Sequence, residues 1–153
     1  MKLNVDASVV NGASSFSVGM LVRDDRGAFI LGKTMRFEGT VPVFEAEAIG
    51  VNEALSWIRS LQLQQVTIET DSFLTVKALE GNYHNYLEVG NWIESCRLKL
   101  QDRGDISIKY VRKNANMAAH LMARIPCLVN CYNVMLSPPL HMLETLMYDS
   151  VSS

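Results

Sequence analysis

The sequence lacks most of what would send it into a membrane, out of the cell, or onto nucleic acid by bulk charge. No stretch approaches the roughly 18 consecutive apolar residues of a membrane span. The best candidate, residues 125–140, is broken by Asn130, Asn133 and Pro138-Pro139. The first residues hold no apolar run of the kind a signal peptide needs, because Lys2, Asn4 and Asp6 interrupt it. Cysteines are only three, Cys96, Cys127 and Cys131. An odd, uneven set argues against a disulfide framework. Cys127 and Cys131 have no second Cys or His pair at zinc spacing. Reduced thiols in an intracellular protein are therefore expected, with nothing to decide between nucleus and cytoplasm. Positive charge is also short: 14 Lys and Arg stand against 16 Asp and Glu, a formal net charge of −2. That counts against a protein held on nucleic acid by overall attraction.

What is present describes a globular α/β domain. The 153 residues are 48% hydrophobic and 20% charged, enough for a real core and wrong for a disordered chain. Basic residues gather locally, at Arg97, Lys99, Arg103, Lys109, Arg112 and Lys113, and none follows Arg124. Such a run is a solvated face or a local basic surface.

Alternating apolar and polar residues predict strands over Lys2–Ser8, Phe16–Arg23 and Ala28–Phe37. Asn11-Gly12 and Asp24-Asp25-Arg26-Gly27 join them as turns, giving an antiparallel meander. After Pro42 the spacing becomes helical, with Ala46, Gly50 and Ala54 small enough for close approach to a sheet. Val66–Thr70 is a fourth strand, Phe73–Leu79 a helix, Gly81–Asn85 a loop, and Leu87 to about Arg103 another helix. Ile106–Tyr110 is a fifth strand and Ala115–Ile125 a further helix. The strand–helix–strand step implies a parallel pair. A mixed five-stranded sheet flanked by helices is expected over residues 1–126. Residues 127–153 read as an apolar extension that packs on that domain, with a short helix at Leu140–Met147.

Three acids stand out. Asp6 lies inside the first strand, Glu47 in the Ala/Ile/Val-rich helix, and Asp71 directly after the fourth strand. An ionised carboxylate next to a core is costly unless it is paired or binds a metal. Asp71 also suits a helix N-cap, and Glu45 is the neighbour that would replace Glu47 if the register slipped. Trp57 and Trp92 fit the core better than a base-stacking role.

Leu3-Asn4-Val5-Asp6-Ala7-Ser8, the stretch Gly19 to Gly27, Ala46-Glu47-Ala48, Glu69-Thr70-Asp71-Ser72 and Val111-Arg112-Lys113-Asn114-Ala115-Asn116 occur in the right order and setting to resemble the type-1 ribonuclease H fold. The likeness covers residues 2–125. More narrowly it is similar to plant ribonuclease H-like domains related to non-LTR retrotransposon reverse transcriptases, as is the Pro138-Pro139 tail with Leu143 and Asp149. The resemblance implies an endonuclease, a hydrolase that cleaves the RNA strand of RNA–DNA hybrids. It implies two Mg²⁺ (or Mn²⁺) ions as cofactors, held by four carboxylates. Asp6, Glu47 and Asp71 match three of these. In Asn116-Met117-Ala118-Ala119-His120, where the family pattern is Asn-x-x-Ala-Asp, the fourth position is His120.

Clustered carboxylates need cations between them. Two unit charges about 4 Å apart repel by roughly 4 kcal/mol at an effective dielectric of about 20. Hard oxygen ligands suit Mg²⁺ or Mn²⁺, and an imidazole suits Mn²⁺ better. His120 could ligate a metal, orient a water or shuttle a proton; a surface histidine is the plain alternative. A histidine here also resembles a variant within the plant group. Arg112 and Asn116 are candidate contacts to the substrate backbone, with helix capping the other use for Asn116. Ser8, Asn11 and Gly12 are candidates for the 2′-hydroxyls that mark RNA, or simply a turn.

Two further readings stand beside the nuclease. One is a nucleic-acid-binding module that keeps the fold without turnover. The other is an interaction domain whose apolar tail docks a partner protein; otherwise a monomer with no membrane association is expected. A related exonuclease class needs a second acid two residues after the first Asp, and Ser8 stands there.

Overall fold

In the computed structural model, residues 1–81 and 87–152 are described. The part of the expected Gly81–Asn85 loop beyond Gly81 lies outside them. Eight residues, polar and apolar in turn, make β1, Lys2–Val9. β2 is Ser15–Arg23 and β3 is Phe29–Glu38. They pair antiparallel in sequence order, as the tight turns require. Gly12 and Gly27 carry φ of +80° and +84°, a backbone that side chains disfavour. At the second turn Asp24 Oδ1 accepts from the backbone N–H of Arg26 and Ala28.

The long helix α1 spans Val43–Ser60. It leads to β4, Val66–Thr70, which pairs parallel with β1. The helices α2, Phe73–Leu79, and α3, Leu87–Leu100, follow. β5, Ile106–Tyr110, then pairs parallel with β4. A single 3₁₀ turn at Lys113–Ala115 precedes α4, Met117–Ala123. The helix expected from Ala115 thus starts two residues later, because Asn116 breaks the helical backbone with φ −119°.

The sheet has six strands rather than five, in the order β5-β4-β1-β2-β3-β6. The added strand, β6, is Tyr132–Met135, antiparallel to β3. The apolar extension therefore supplies the sheet's edge. A 3₁₀ turn at Leu140–Met142 and α5, Leu143–Ser152, replace the expected short helix.

Both faces of the sheet are covered. Leu3, Val5, Val18, Met20 and Val22 pack with Val51, Leu55, Trp57 and Ile58 of α1 and Cys96 of α3. Leu21, on the opposite face of β2, packs with Ala118, Ala119 and Met122 of α4 and with Met142 and Leu146. β2 is thus buried on both sides, which explains why its second half, Val18–Val22, has no polar side chain. Close packing of α1 works as its small residues suggest: a Cβ at Gly50 would come within 3.3 Å of Val5. Trp57 is buried in the core and Trp92 packs at its edge.

Candidate active site

Asp6, Glu47 and Asp71 converge, each offering a carboxylate oxygen within 4.8 Å of the others. Three different elements deliver them. Asp6 comes from the middle of β1, where the pairing of β1 with both β2 and β4 fixes its backbone. Glu47 comes from the second turn of α1, which packs on β1. Asp71 follows the last residue of β4. Its N-cap role falls to its neighbour: Ser72 Oγ accepts the Thr75 N–H and caps α2. The Asp71 carboxylate is thereby free of the helix end. Glu45 takes no part, since it accepts a hydrogen bond from Trp92 Nε1 at 3.4 Å.

Asp6 is 3% exposed and Glu47 7%, so the charges have little water to screen them. Burial first, then the charges of Asp6 and Asp71, hold the Glu47 carboxyl far above the usual carboxylate range. Asp71 is pushed up to about 6 by burial, then by Asp6, with Lys113 pulling the other way. Protein alone cannot keep three carboxylates ionised here. The donor set is all oxygen, negatively charged and open to a cavity, which fits a hard divalent cation such as Mg²⁺ or Mn²⁺.

His120 flanks the cluster. Its Nδ1 lies 2.9 Å from Asp6 Oδ2, and the ring is partly buried. It touches the first acid of the three from α4, on the side away from α1.

The acids and His120 line an open cavity of about 910 Å³. Ser8 lines it too. Asn11, Gly12 and Arg112 do not; all three are exposed, the first two on a turn and Arg112 just ahead of the 3₁₀ turn at Lys113–Ala115. Asn116 corrects a second expectation. It is 1% exposed, with its side-chain amide bonded to Val5 O and Asn4, so it is packed inside the protein and cannot reach a ligand's backbone. Nor does its side chain cap α4, although it occupies the N-cap position.

The cavity also holds residues that the sequence pattern did not single out. Lys113, next to Arg112, is brought beside Asp71 because the β4–β5 ladder continues through the Val111 N–H to Thr70 O bond. Its membership of the local basic run was the available signal. Phe73 and Tyr110 meet edge to face at 5.5 Å in the cavity wall. Arg124 and Arg36 line the far end, Arg36 held by Ser15 Oγ and Cys127 O. The two arginines come from different elements, so no sequence spacing links them.

The family described as reverse transcriptase-like matches residues 4–125. Among proteins of curated function, none matches the sequence. Solved structures match the fold. RNase H1 of the halophilic archaeon Halobacterium salinarum is 20% identical, with a TM-score of 0.73 over 80% of this chain and 92% of that one. LC11-RNase H1, from a compost metagenome and in complex with an RNA/DNA hybrid, is 15% identical, with a TM-score of 0.70 over 79% of this chain and 91% of that one. The protease-reverse transcriptase of prototype foamy virus is 17% identical, with a TM-score of 0.65 over 80% of this chain and 20% of that one. The architecture is that of ribonuclease H, and the sixth strand and α5 lie beyond the family match.

Proposed function

The chain belongs to the reverse transcriptase-like family, and from that premise we propose that it is a metal-dependent endonuclease that hydrolyses the RNA strand of RNA–DNA hybrids. The observation that carries this reading is the convergence of Asp6, Glu47 and Asp71 in an open cavity of a ribonuclease H-like fold. Neighbours with that fold bind RNA/DNA hybrids.

Asp6, Glu47 and Asp71 would hold two divalent cations, Mg²⁺ or Mn²⁺, with His120, beside Asp6, as the candidate fourth ligand. Cations bound there would make a water nucleophilic at neutral pH and offset charge on the leaving oxygen. The chain's own residues do the rest. His120 bonds Asp6 through Nδ1, which fixes the Asp6 carboxylate and leaves Nε2 free to face a cation or, when the ring carries a second proton, to give that proton to the leaving oxygen. Lys113 and Arg124 meet phosphates on either side of the acids. The Phe73–Tyr110 pair gives an apolar wall for a sugar or base. Ser8 can bond a 2′-hydroxyl, the group that tells RNA from DNA.

A second reading is favoured by the His120–Asp6 contact itself. An imidazole stands where the family pattern has a fourth acid, so a second cation would be held by one carboxylate fewer. On this reading the protein binds hybrids and turns over weakly or not at all. The finer kinship we favour is with plant retrotransposon-derived domains. The exposed Leu128, Leu136 and Leu140 of the extension suit a partner protein.

The test is cleavage of one labelled RNA strand presented three ways, in an RNA–DNA hybrid, single-stranded and in duplex RNA, with the same sequence as labelled duplex DNA for comparison. Cleavage of the hybrid alone supports the nuclease. Binding without cleavage supports the second reading.

A further inference from the structure

We propose that Asn116 is a positioning residue: it fastens α4 to β1 so that His120 is set against Asp6. The inference rests on the nuclease reading only for its consequence in catalysis.

β1 and α4 are joined by two rungs. Asn4 and Asp6 are two residues apart on β1 and share one face of the strand. Asn116 and His120 are four apart, and one turn of helix stacks them on one side. The first rung runs from Asn4 Nδ2 to Asn116 Oδ1 at 3.1 Å. The second joins His120 Nδ1 and Asp6 Oδ2 at 2.9 Å. The backbone N–H of His120 donates to Asn116 O at 3.1 Å, so His120 hangs directly from the residue that makes the first rung.

Asn116 adds a second tie. Its Nδ2 donates to Val5 O at 2.9 Å, at the last pair of the β1–β4 ladder. Both ends of the amide are thus committed to β1. An asparagine at an N-cap normally turns its side chain to the helix's own N–H groups. Here that capping bond is absent. The side chain faces the strand instead, and a purely structural cap would not.

The strand side of the rung is held as firmly. Asn4 Oδ1 accepts from Arg23 Nε and Nη2, at 3.2 and 2.8 Å, and Asn4 Nδ2 also donates to Glu69 Oε1 at 3.0 Å. Arg23, Asn4, Glu69 and Asn116 are all buried. With the donor and acceptor ends of Asn4 both fixed, its amide cannot rotate to follow a moving helix. Asn116 therefore reads the position of β1 and transmits it, one turn on, to His120.

The test compares Asn116→Ser with wild type and with Met122→Ala. Serine retains a capping hydroxyl but is too short to reach Val5 and Asn4. Met122→Ala loosens the packing of α4 without touching the rungs. The first readout is the ¹⁵N spectrum of the His120 ring in metal-free protein at alkaline pH. Nδ1 facing a carboxylate holds the Nδ1–H tautomer. Asn116→Ser is expected to lose that signature and Met122→Ala to keep it. The second readout is hybrid cleavage: kcat falls about tenfold to a hundredfold in Asn116→Ser while KM stays near wild type. If Asn116→Ser does not fold, Asn116→Asp, which replaces the donor to Val5 with an oxygen that the Val5 carbonyl repels, carries the same measurements. Retention of the Nδ1–H tautomer in the Asn116 variant, or its equal loss in Met122→Ala, overturns the proposal. If the wild type cleaves nothing, the nuclease reading falls, and the ring spectrum still decides the role of Asn116.

Discussion

Gly19 lies opposite Asp6 in the β1–β2 ladder, and a Cβ built on it would fall inside the backbone of Met122 and Ala123. The absence of a side chain at this one strand position lets α4 rest directly on the sheet beside the first acid. Gly19→Ala is expected to cost about 3 kcal/mol or more, because helix backbone cannot give way as a side chain can. A chemical denaturation curve with a lowered midpoint checks this. An unchanged midpoint would mean that α4 does not rest on Gly19.

Glu47→Gln separates stability from function. Without cations, folding places Glu47 beside two other carboxylates, and at neutral pH keeping it neutral or charged there is costly. A neutral amide removes that cost. The metal-free variant should be about 1–3 kcal/mol more stable than wild type at pH 7. It should also lose most of the stabilisation that Mg²⁺ or Mn²⁺ gives. Melting temperatures with and without each cation check both parts.

Stability of the metal-free protein should fall as pH rises. Glu47 and Asp71 both have raised carboxyl pKa values in the folded state, Asp71 to about 6. Between the ordinary carboxylate range and those values, the folded chain holds more protons than the unfolded one. The slope of unfolding free energy with pH is therefore negative across that window. The Asp71 contribution to the loss runs from about pH 4 to about 6, and that of Glu47 continues above it. Cations relieve the repulsion, so the rise in melting temperature on adding Mg²⁺ should be larger at pH 8 than at pH 5. Thermal melts at both values, with and without chelator, check it.

Lys113 and Arg124 should act as phosphate contacts. Each alanine variant is expected to weaken hybrid binding whatever its sequence, and to lower the slope of log affinity against log salt by about 1. Titrations at several salt concentrations measure this. A slope unchanged from wild type would remove that residue from the interface.

Much of this arrangement was legible in the sequence, and the exceptions have physical causes. The first five strands announce themselves through alternation, and Asn11-Gly12 and Gly27 mark their turns. β6 does not. Four residues inside the apolar stretch 127–136 carry no period of their own, and only the free edge of β3, including Lys33 over the Tyr132 ring at 4.7 Å, makes them a strand. The three acids were legible because each sits where a lone carboxylate is costly. The internal ties of Asn116, a candidate contact to the substrate backbone or a cap, were not legible because its partners Asn4 and Val5 lie over a hundred residues away. Likewise Arg23 and Glu69 read as ordinary polar strand positions until the fold brings them around Asn4.

The most direct test of the account is cleavage of a labelled RNA–DNA hybrid by wild type and by Asp71→Asn, in Mg²⁺ and separately in Mn²⁺. The expected result is metal-dependent cutting of the RNA strand, greater in Mn²⁺ because an imidazole stands at the fourth position, and none in the variant. A folded wild type that leaves the hybrid intact in both metals, or cutting that survives in Asp71→Asn, would contradict a catalytic role for the three carboxylates.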